Sequence, residues 1–455
     1  MSSYLDFLGR KSLVANATGI NVDPDTLNPS LFPFQRDLVH WSLRKGRAAI
    51  FADTGLGKTI MQLEWAHRAA DRALILAPLA VAYQTVAEGD RWGIPVTYAR
   101  KQSGAATQGI TITNYEMLGH FDPDEFGAVV LDESSILKNF EGKTRSAIID
   151  TFRQTPMRLA CTATPAPNDI AEIANHAEFL GVMSRTEMLA AFFVHDDEGW
   201  RLKGHARGGF YKWLASWGMS LKSPADLGYP DHDYILPGLA IVPHFVEVNS
   251  APEGMLFAVE IKGVGDRAMI RRSTMAHRVG MAVEMIGSTE EPWIAWCGLN
   301  DEGSELAKAI PGSVNVEGSM DPEEKAEALQ AFSAGDIRVL ITKPSIAGFG
   351  MNWQHCNRMV FVGLSDSYED YYQCIRRCYR FGQKRKVEAH IVLSELERAI
   401  YDNVLGKERE AQRVSAELVK HVAEFERAEI RGARAIQPYD AALPLTTPAW
   451  LKGNA

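Results

Sequence analysis

The chain has 455 residues, 46% of them hydrophobic, with 48 Lys and Arg against 57 Asp and Glu, a formal net charge of −9. That length is too great for one core and predicts two or three domains. The acidity excludes a general basic field, so any nucleic-acid partner needs a local basic cleft. The five cysteines, Cys161, Cys297, Cys356, Cys374 and Cys378, show no zinc spacing and predict reduced thiols. MSSYLDFLGRKSLV lacks the apolar run of a signal peptide, and no window is apolar enough to span a bilayer, which predicts a soluble cytoplasmic protein without a membrane partner.

In chain order, residues 1–30 end in the Pro/Asn/Asp-rich NVDPDTLNPS and read as a lead-in. FQRDLVHWSLRKG predicts a helix, AAIFAD a buried strand, KTIMQLEWAHRAA a helix, and ALILAP, AVVLDES and RLACTAT three more strands. Strands alternating with helices predict a parallel sheet covered on both faces, an α/β fold. Residues 182–236, rich in aromatics and glycine, read as an insertion. Alternation resumes with PWIAWCGL, SVNVEGS, RVLITK, RMVFVGL and EAHIVL, which predict a second α/β unit. A charged helical stretch, 394–429, and a Pro-containing tail follow.

The chemistry starts at FADTGLGKTI, residues 51–60. Gly55-x-Gly57-Lys58-Thr59 follows a predicted strand and opens a predicted helix, the context of a P-loop. Backbone N–H groups of Thr54, Gly55, Leu56 and Gly57 and of the helix N-terminus suit phosphate oxygens. Lys58 would reach the β/γ-phosphates of ATP and Thr59 would ligate Mg²⁺. Asp132 and Glu133 end a later apolar strand, at the sheet edge where α/β folds bind ligands. An acid there can hold Mg²⁺, and the next can position or deprotonate water. In QCIRRCYRFGQKRK, Arg377 and Arg380 share one helix face and suit a γ-phosphate reached from a second unit.

The order of these motifs resembles helicase superfamily two, and most closely the Swi/Snf-type (Snf family) DNA-dependent ATPases, over residues 31 to 405. FPFQRDLVHW resembles the adenine-reading motif, with Gln35 in the glutamine's place. ADTGLGKT is similar to motif I, ILAPLAVAYQ to Ia, ITNYEML to Ib, LDESSILKN to II and CTATPAPN to III. VEGSMDPEEKAEALQAFSAG and ITKPSIAGFGMNW resemble motifs IV and V, which adds Gly350 to the nucleotide-binding set. QCIRRCYRFGQ is close to the family's form of motif VI. Motif II reads Asp-Glu-Ser-Ser where the family has Asp-Glu-Ala-His, and motif V carries Ile346, Phe349 and Trp353 where smaller or aliphatic residues are usual. The segment matching the family's double arginine reads MSLKSPADLGYP.

The resemblance implies two tandem RecA-like lobes: residues 31–262 with the insertion at about 182–236, and residues 263–400. A helical insertion follows motif III, and residues 401–455 supply a brace helix and tail. It implies a monomeric DNA-stimulated ATPase moving on double-stranded DNA, in a small stand-alone form of bacterial or phage origin, with protein partners undefined. The rival activities are a strand-separating DNA or RNA helicase and a scaffold with a dead ATPase; intact Lys58, Thr59, Asp132, Glu133, Arg377 and Arg380 argue against the second. Two clusters stay open. Trp200, Phe210, Tyr211, Trp213 and Trp217 fit a subdomain core, the commoner use, or a base-stacking surface. Lys262, Arg267, Arg271, Arg272 and Arg278 fit a phosphate-tracking row or a solvated helix face. The charges of the brace helix are expected to be solvated.

Overall fold

A computed structural model describes residues 14–138, 142–166, 169–196, 199–231, 234–247, 271–347, 351–365 and 367–430. The apolar runs become strands buried on both faces. In the first lobe these are β1 (Arg47–Ala52), β2 (Arg72–Ala77), β3 (Val96–Tyr98), β4 (Gly109–Asn114), β5 (Ala128–Asp132) and β6 (Met157–Cys161). A small antiparallel hairpin, β7 (Phe193–Asp196) with β8 (Gly199–Leu202), precedes β9 (Gly218–Leu221). The sheet order is β3-β4-β2-β5-β6-β1-β9, with every described pairing parallel. Its helices are α1 (Pro33–Lys45), α2 (Lys58–Ala69), α3 (Leu79–Trp92), α4 (Lys143–Thr151), α5 (Ile173–Leu180), α6 (Arg185–Phe192) and α7 (Arg207–Ala215). Two apolar cores, one on each face, explain why these strands are continuously hydrophobic rather than alternating.

The second lobe is a six-stranded parallel sheet in the order β10-β15-β14-β11-β13-β12. Its strands are β10 (Leu239–Val246), β11 (Trp293–Cys297), β12 (Val314–Asn315), β13 (Val339–Thr342), β14 (Arg358–Val362) and β15 (Val387–Ser394). Its helices are α8 (Met275–Gly287), α9 (Asn300–Ala309), α10 (Pro322–Ala334), α11 (Pro344–Ala347) and α12 (Tyr368–Ile375). The chain is thus α/β with two parallel-sheet lobes in tandem, as the motif order implies.

Helix α13 (Arg398–Ile430) joins the lobes. Its 33 residues span about 50 Å at 1.5 Å per residue. Ile400 and Val404 belong to the second lobe's core, while Leu418 and Val422 belong to the first lobe's. Each lobe therefore contains part of one helix, which resists their separation.

Four expectations change. The lobe boundary at 262/263 assigned Leu239–Val246 to lobe one, but β10 pairs along its whole length with β15 of the second sheet; a strand's own pattern does not say which sheet receives it. The insertion at 182–236 also supplies β9, which lies beside β1 in the first sheet. The brace charges are not all solvated: Glu426 is fully buried and accepts the Ser220 N–H at 2.6 Å, and Lys45 pairs with Glu429 at 2.8 Å. Neither reading of the basic cluster fits Arg278, which is fully buried and paired with Glu302 at 2.6 Å, nor Arg271, which lies 3.3 Å from Glu397. Lys262 and Arg267 lie outside the described residues.

The aromatic cluster resolves toward core. Phe210, Tyr211, Trp213 and Trp217 are buried, Trp213 and Trp217 meeting edge to face at 5.2 Å. Trp353 of motif V is buried in the second lobe against Phe332 and Trp296, and its indole N–H donates to Ser333 Oγ at 2.9 Å. All five cysteines are buried free thiols. Among the described residues no helix is long and apolar enough to cross a membrane.

Candidate active site between the lobes

The site forms where parallel strands end on a common edge. β1 leads into the loop at 53–57 and β5 ends in Asp132. Asp132 pairs with Cys161 of β6, and Cys161 with Ile50 of β1, so the acid lies level with the approach to the loop. Gly55 (φ 90°) and Gly57 (φ 76°) occupy backbone regions that L side chains rarely adopt. Gly57 caps α2 without a side-chain acceptor, leaving the first N–H groups of the helix directed at the loop. A Cβ on Gly55 would lie 2.8 Å from the Phe381 nitrogen, so the second lobe is already packed against this loop.

One cleft of about 530 Å³ is lined by Gln35, Thr54, Gly55, Gly57, Lys58, Thr59, Asp132, Glu133, Arg377 and Arg380. Leu56 is not among the lining residues; its side chain is buried and its carbonyl accepts Gln35 Nε2–H at 2.9 Å. Gln35 Oε1 in turn accepts the Phe32 N–H at 2.9 Å, capping α1, so both ends of the amide are fixed. Gly350 lies outside the described residues. The Lys58 ammonium donates to the Ala52 carbonyl at 2.9 Å.

Asp132 Oδ1 accepts from Gln62 Nε2 at 2.7 Å and from the Glu133 N–H at 3.0 Å. Burial, and then the neighbouring Glu133 charge, push its carboxyl up to about 6, against the pull of Gln62 and Lys58. Glu133 has φ 51°, the one positive value among the described non-glycine residues, and its Oε2 is buried with no partner. The helix expected to carry Arg377 and Arg380 on one face ends at Ile375, so both lie in the turns after it; Arg377 donates from Nη2 to Gln373 Oε1 at 2.9 Å and from Nη1 to the Met351 carbonyl at 3.2 Å. Arg380 Nη1 shares that carbonyl at 3.3 Å, and its Nε is buried without a partner. Burial and the Arg377 charge lower Arg380 to about 10, although Glu88 and Glu133 pull the other way. These orphaned polar atoms, Glu133 Oε2 and Arg380 Nε, belong to opposite lobes and to one cleft, as a polar ligand would require.

Three features escaped the sequence. Phe32, Tyr234 and Phe381 line the cleft beside Gln35, Tyr234 and Phe381 lying 4.7 Å apart at 31°; no local spacing assigns any of them to a ligand. Asp53, next to the glycine loop, bridges the lobes. Its Oδ1 accepts from Tyr372 Oη at 2.6 Å and its Oδ2 from Arg376 Nη2 at 3.1 Å. Burial pushes the Asp53 carboxyl up, but the Arg376 guanidinium, the Tyr372 hydroxyl, the Thr54 N–H and Lys58 together hold it below the usual range. Third, the motif II serines are engaged on both sides. Ser134 Oγ lies 3.0 Å from His176 Nε2, and Ser135 Oγ donates to Glu369 Oε1 at 2.8 Å.

A second interlobe cleft, of about 790 Å³, faces motif Ia residues Leu79 and Tyr83 across to Lys325, Ser345 and Ile346 of the second lobe. Glu88 and Asn352 line both clefts and meet at 3.4 Å.

Parts of the chain are similar to known proteins. Residues 305–382 match the helicase conserved C-terminal domain, a stretch that contains Arg377 and Arg380. The chain is 29% identical over 157 residues to the SWI/SNF-related matrix-associated actin-dependent regulator of chromatin subfamily A-like protein 1 of Xenopus laevis, covering 32% of this chain and 16% of that protein. It is 29% identical over 163 residues to the DNA annealing helicase and endonuclease ZRANB3 of Bos taurus, covering 31% and 15%. The matched part thus spans less than a fifth of either relative's length. Among solved structures, the Sulfolobus solfataricus SWI2/SNF2 ATPase core in complex with dsDNA aligns over 91% of this chain and 99% of that one, at 18% identity and a TM-score of 0.43. The chain is therefore similar over residues 305–382 to the helicase conserved C-terminal domain, and over about a third of its length to a SWI/SNF-related protein and to a DNA annealing helicase.

Proposed function

We propose that the chain hydrolyses ATP in the cleft between its lobes and uses the cycle to move along double-stranded DNA. The observation that carries the first half is the composition of one cavity. A glycine loop with Lys58 and Thr59, the Asp132–Glu133 pair, and Arg377 and Arg380 from the far lobe all line it. In this reading the loop and the α2 N-terminus cradle the phosphates, and Gln35 with the Phe32, Tyr234 and Phe381 rings holds the base. The donor set of Thr59 hydroxyl and Asp132 carboxylate suits Mg²⁺, which when bound neutralises phosphate charge and orients the leaving group. Glu133, with a buried free oxygen, takes a proton from or orients the attacking water. Arg377 and Arg380 stabilise charge on the transferred group only while the lobes are together.

The DNA half rests on the similarity to relatives named for DNA annealing and for chromatin regulation. The second cleft brings motif Ia and motif IV–V residues to face each other, as two grips on one backbone require. No wedge stands out among the described residues: the aromatics at 210–217 are core. Separating strands costs about 1.4 kcal/mol per base-pair step, whereas tracking needs phosphate contacts alone. The rival reading is a strand-separating DNA or RNA helicase.

ATPase rates with duplex DNA, single-stranded DNA and RNA test the reading, with Lys58→Ala as control. Expected are duplex stimulation and loss of turnover in the variant; near-normal turnover of Lys58→Ala removes the P-loop assignment. With ATP present, displacement of a triplex-forming third strand reports tracking, and release from a tailed duplex reports unwinding. Release without third-strand displacement transfers the proposal to the helicase reading.

A further inference from the structure

We propose that Glu369, on the second lobe, is a positioning residue that sets Glu133 when the lobes close. The inference rests on the ATPase reading and adds to it a residue that no motif supplies. Glu133 holds a left-handed backbone at φ 51°. Such a conformation in a non-glycine residue costs on the order of 1 kcal/mol and persists only where neighbours over-determine it. The neighbours are the five residues that follow, the 3-10 turn Ser134–Lys138.

That turn is gripped from two directions. From its own lobe, α5 supplies His176 Nε2 at 3.0 Å from Ser134 Oγ and Asn175 Nδ2 donating to the Leu137 carbonyl at 2.7 Å. From the other lobe, one carboxylate takes both remaining polar side chains of the turn. Glu369 Oε1 accepts from Ser135 Oγ at 2.8 Å, and Glu369 Oε2 pairs with Lys138. Glu369 is only 11% exposed, so the pair is partly desolvated and firmer than a surface ion pair. Its place on α12 matters. Glu369, Tyr372 and Arg376 fall at i, i+3 and i+7, one face of the helix and the residue after it. The latter two hold Asp53, beside the glycine loop. A single face of the second lobe thus contacts both the phosphate loop and the turn behind Glu133. When the lobes part, the turn keeps its α5 grip and loses its Glu369 grip, and Glu133 loses one of the two restraints on its backbone.

A plain adhesive between lobes would also use such contacts. The two roles separate in kinetics. Loss of adhesion weakens nucleotide capture and raises KM. Loss of positioning lowers kcat with nucleotide bound. The experiment measures duplex-stimulated ATPase kcat and KM, and binding of a fluorescent ATP analogue, for wild type, Glu369→Ala, Glu369→Gln, Lys138→Glu and the reversal Glu369→Lys with Lys138→Glu. Melting temperatures identify any variant that fails to fold. Misplacing a reacting group by about 1 Å costs up to ~10²-fold, so Glu369→Ala and Lys138→Glu should each lose about tenfold to 10²-fold in kcat with analogue affinity unchanged. Glu369→Gln, which can still accept from Ser135, should lose less. The reversal should recover part of the loss, since Ser135 Oγ can accept from the ammonium that replaces the Glu369 carboxylate; recovery is partial because Asp370 and Glu172 also face position 138. Wild-type kcat in Glu369→Ala, a rise in KM alone, or a reversal no better than its single variants overturns the proposal while leaving the ATPase reading in place. A wild-type chain without ATPase activity overturns both.

Discussion

Removing Arg376 should shift the lobes toward an open arrangement in solution. The Arg376–Asp53 pair spans 3.1 Å, with side chains 17% and 20% exposed. At an effective dielectric of about 20 its gross attraction is about 332/(20 × 3.1), or ~5 kcal/mol. Desolvation of both ions offsets much of that. The Arg376 guanidinium also lies over the Tyr372 and Tyr379 rings, at 5.0 and 5.3 Å. In Arg376→Ala the Asp53 carboxylate keeps the Tyr372 hydroxyl and the Thr54 N–H, so the full penalty of a stranded charge does not apply. A net loss of about 2 kcal/mol follows, typical of a hydrogen bond to a charged group. That is roughly a 30-fold change in the open-to-closed ratio. Single-molecule energy transfer between one dye on each lobe, without nucleotide, reads it directly. Arg376→Lys should fall between, since it keeps the charge but loses the planar donor and the stacking. Asp53→Asn combined with Arg376→Ala should show less than the sum of the single effects, because the two groups are in contact. The sign with pH is also fixed. A carboxyl held below its usual range contributes above its unfolded value of about 3.9 and loses that contribution only as pH falls through its lower folded value. The latch should therefore be flat from about pH 5 to 8. An unchanged distance distribution in Arg376→Ala, or strictly additive single effects, would refute the reasoning.

Other expectations are quicker to state. Glu133→Gln should bind ATP yet hydrolyse it at least about 10²-fold more slowly, as expected when a general base is lost, and accumulate a closed complex; full turnover removes Glu133 from its role. Arg377→Ala and Arg380→Ala should each reduce hydrolysis far more than ATP binding, by up to ~10³-fold or beyond, and full DNA-stimulated turnover in both would end the composite-site picture. Burial pushes the Glu426 carboxyl well above its usual range, against the Ser220 N–H. The folded chain then binds a proton that the unfolded one releases, so stability falls as pH rises from the unfolded value. Glu426→Gln should remove that fall, melting higher than wild type at about pH 8 and closer to it at about pH 5; equal pH slopes for the two proteins would show that Glu426 does not hold the proton.

What could be read from sequence was whatever is local and redundant. β1, β2, β5 and β6 are apolar runs because helices cover both sheet faces, so each strand announces its own burial. The loop at 53–59 is contiguous, so its chemistry is visible without knowing the fold. Arg278 carries a signal of its burial in the sequence. It is in step with Ala282 and Ile286 on the buried face of α8, and a cation at that phase needs a buried acid such as Glu302. The Ser135–Glu369 contact left no signal. It joins residues 234 positions apart, each a single polar residue in an otherwise ordinary segment. Asp53 is similar: its partners lie 319 and 323 positions away. These contacts join single polar residues far apart in the chain, and they lack the periodicity that marks a core.

Motif II of the resembling family ends in a histidine that couples to motif III, and this chain has serine at that position. In the structure both motif II serines find side-chain partners outside motif III. Ser135 turns to the other lobe, while the adjacent Ser134 meets a histidine that comes from α5 instead. That imidazole, fully buried and edge-on to Phe51 at 5.2 Å, is lowered to about 4 by burial, with Ser134 opposing. It is neutral at every pH at which the chain would work. A neutral ring cannot act as a charge sensor, so the inner grip on the turn is constant and only the outer grip, through Glu369, responds to where the lobes are. The cost appears in folding. Between about pH 6.5 and 4 the unfolded ring takes up a proton that the folded one refuses, so acidification through that window destabilises the chain. Replacing His176 with glutamine, which keeps a hydrogen-bonding group near Ser134, should reduce that acid sensitivity, leaving the share of His244, His355 and His390, which burial also lowers; a melting-curve slope between about pH 6.5 and 4 equal to wild type would place the sensitivity elsewhere. A rigid inner contact paired with a conditional outer one is what a site needs if hydrolysis is to wait for closure.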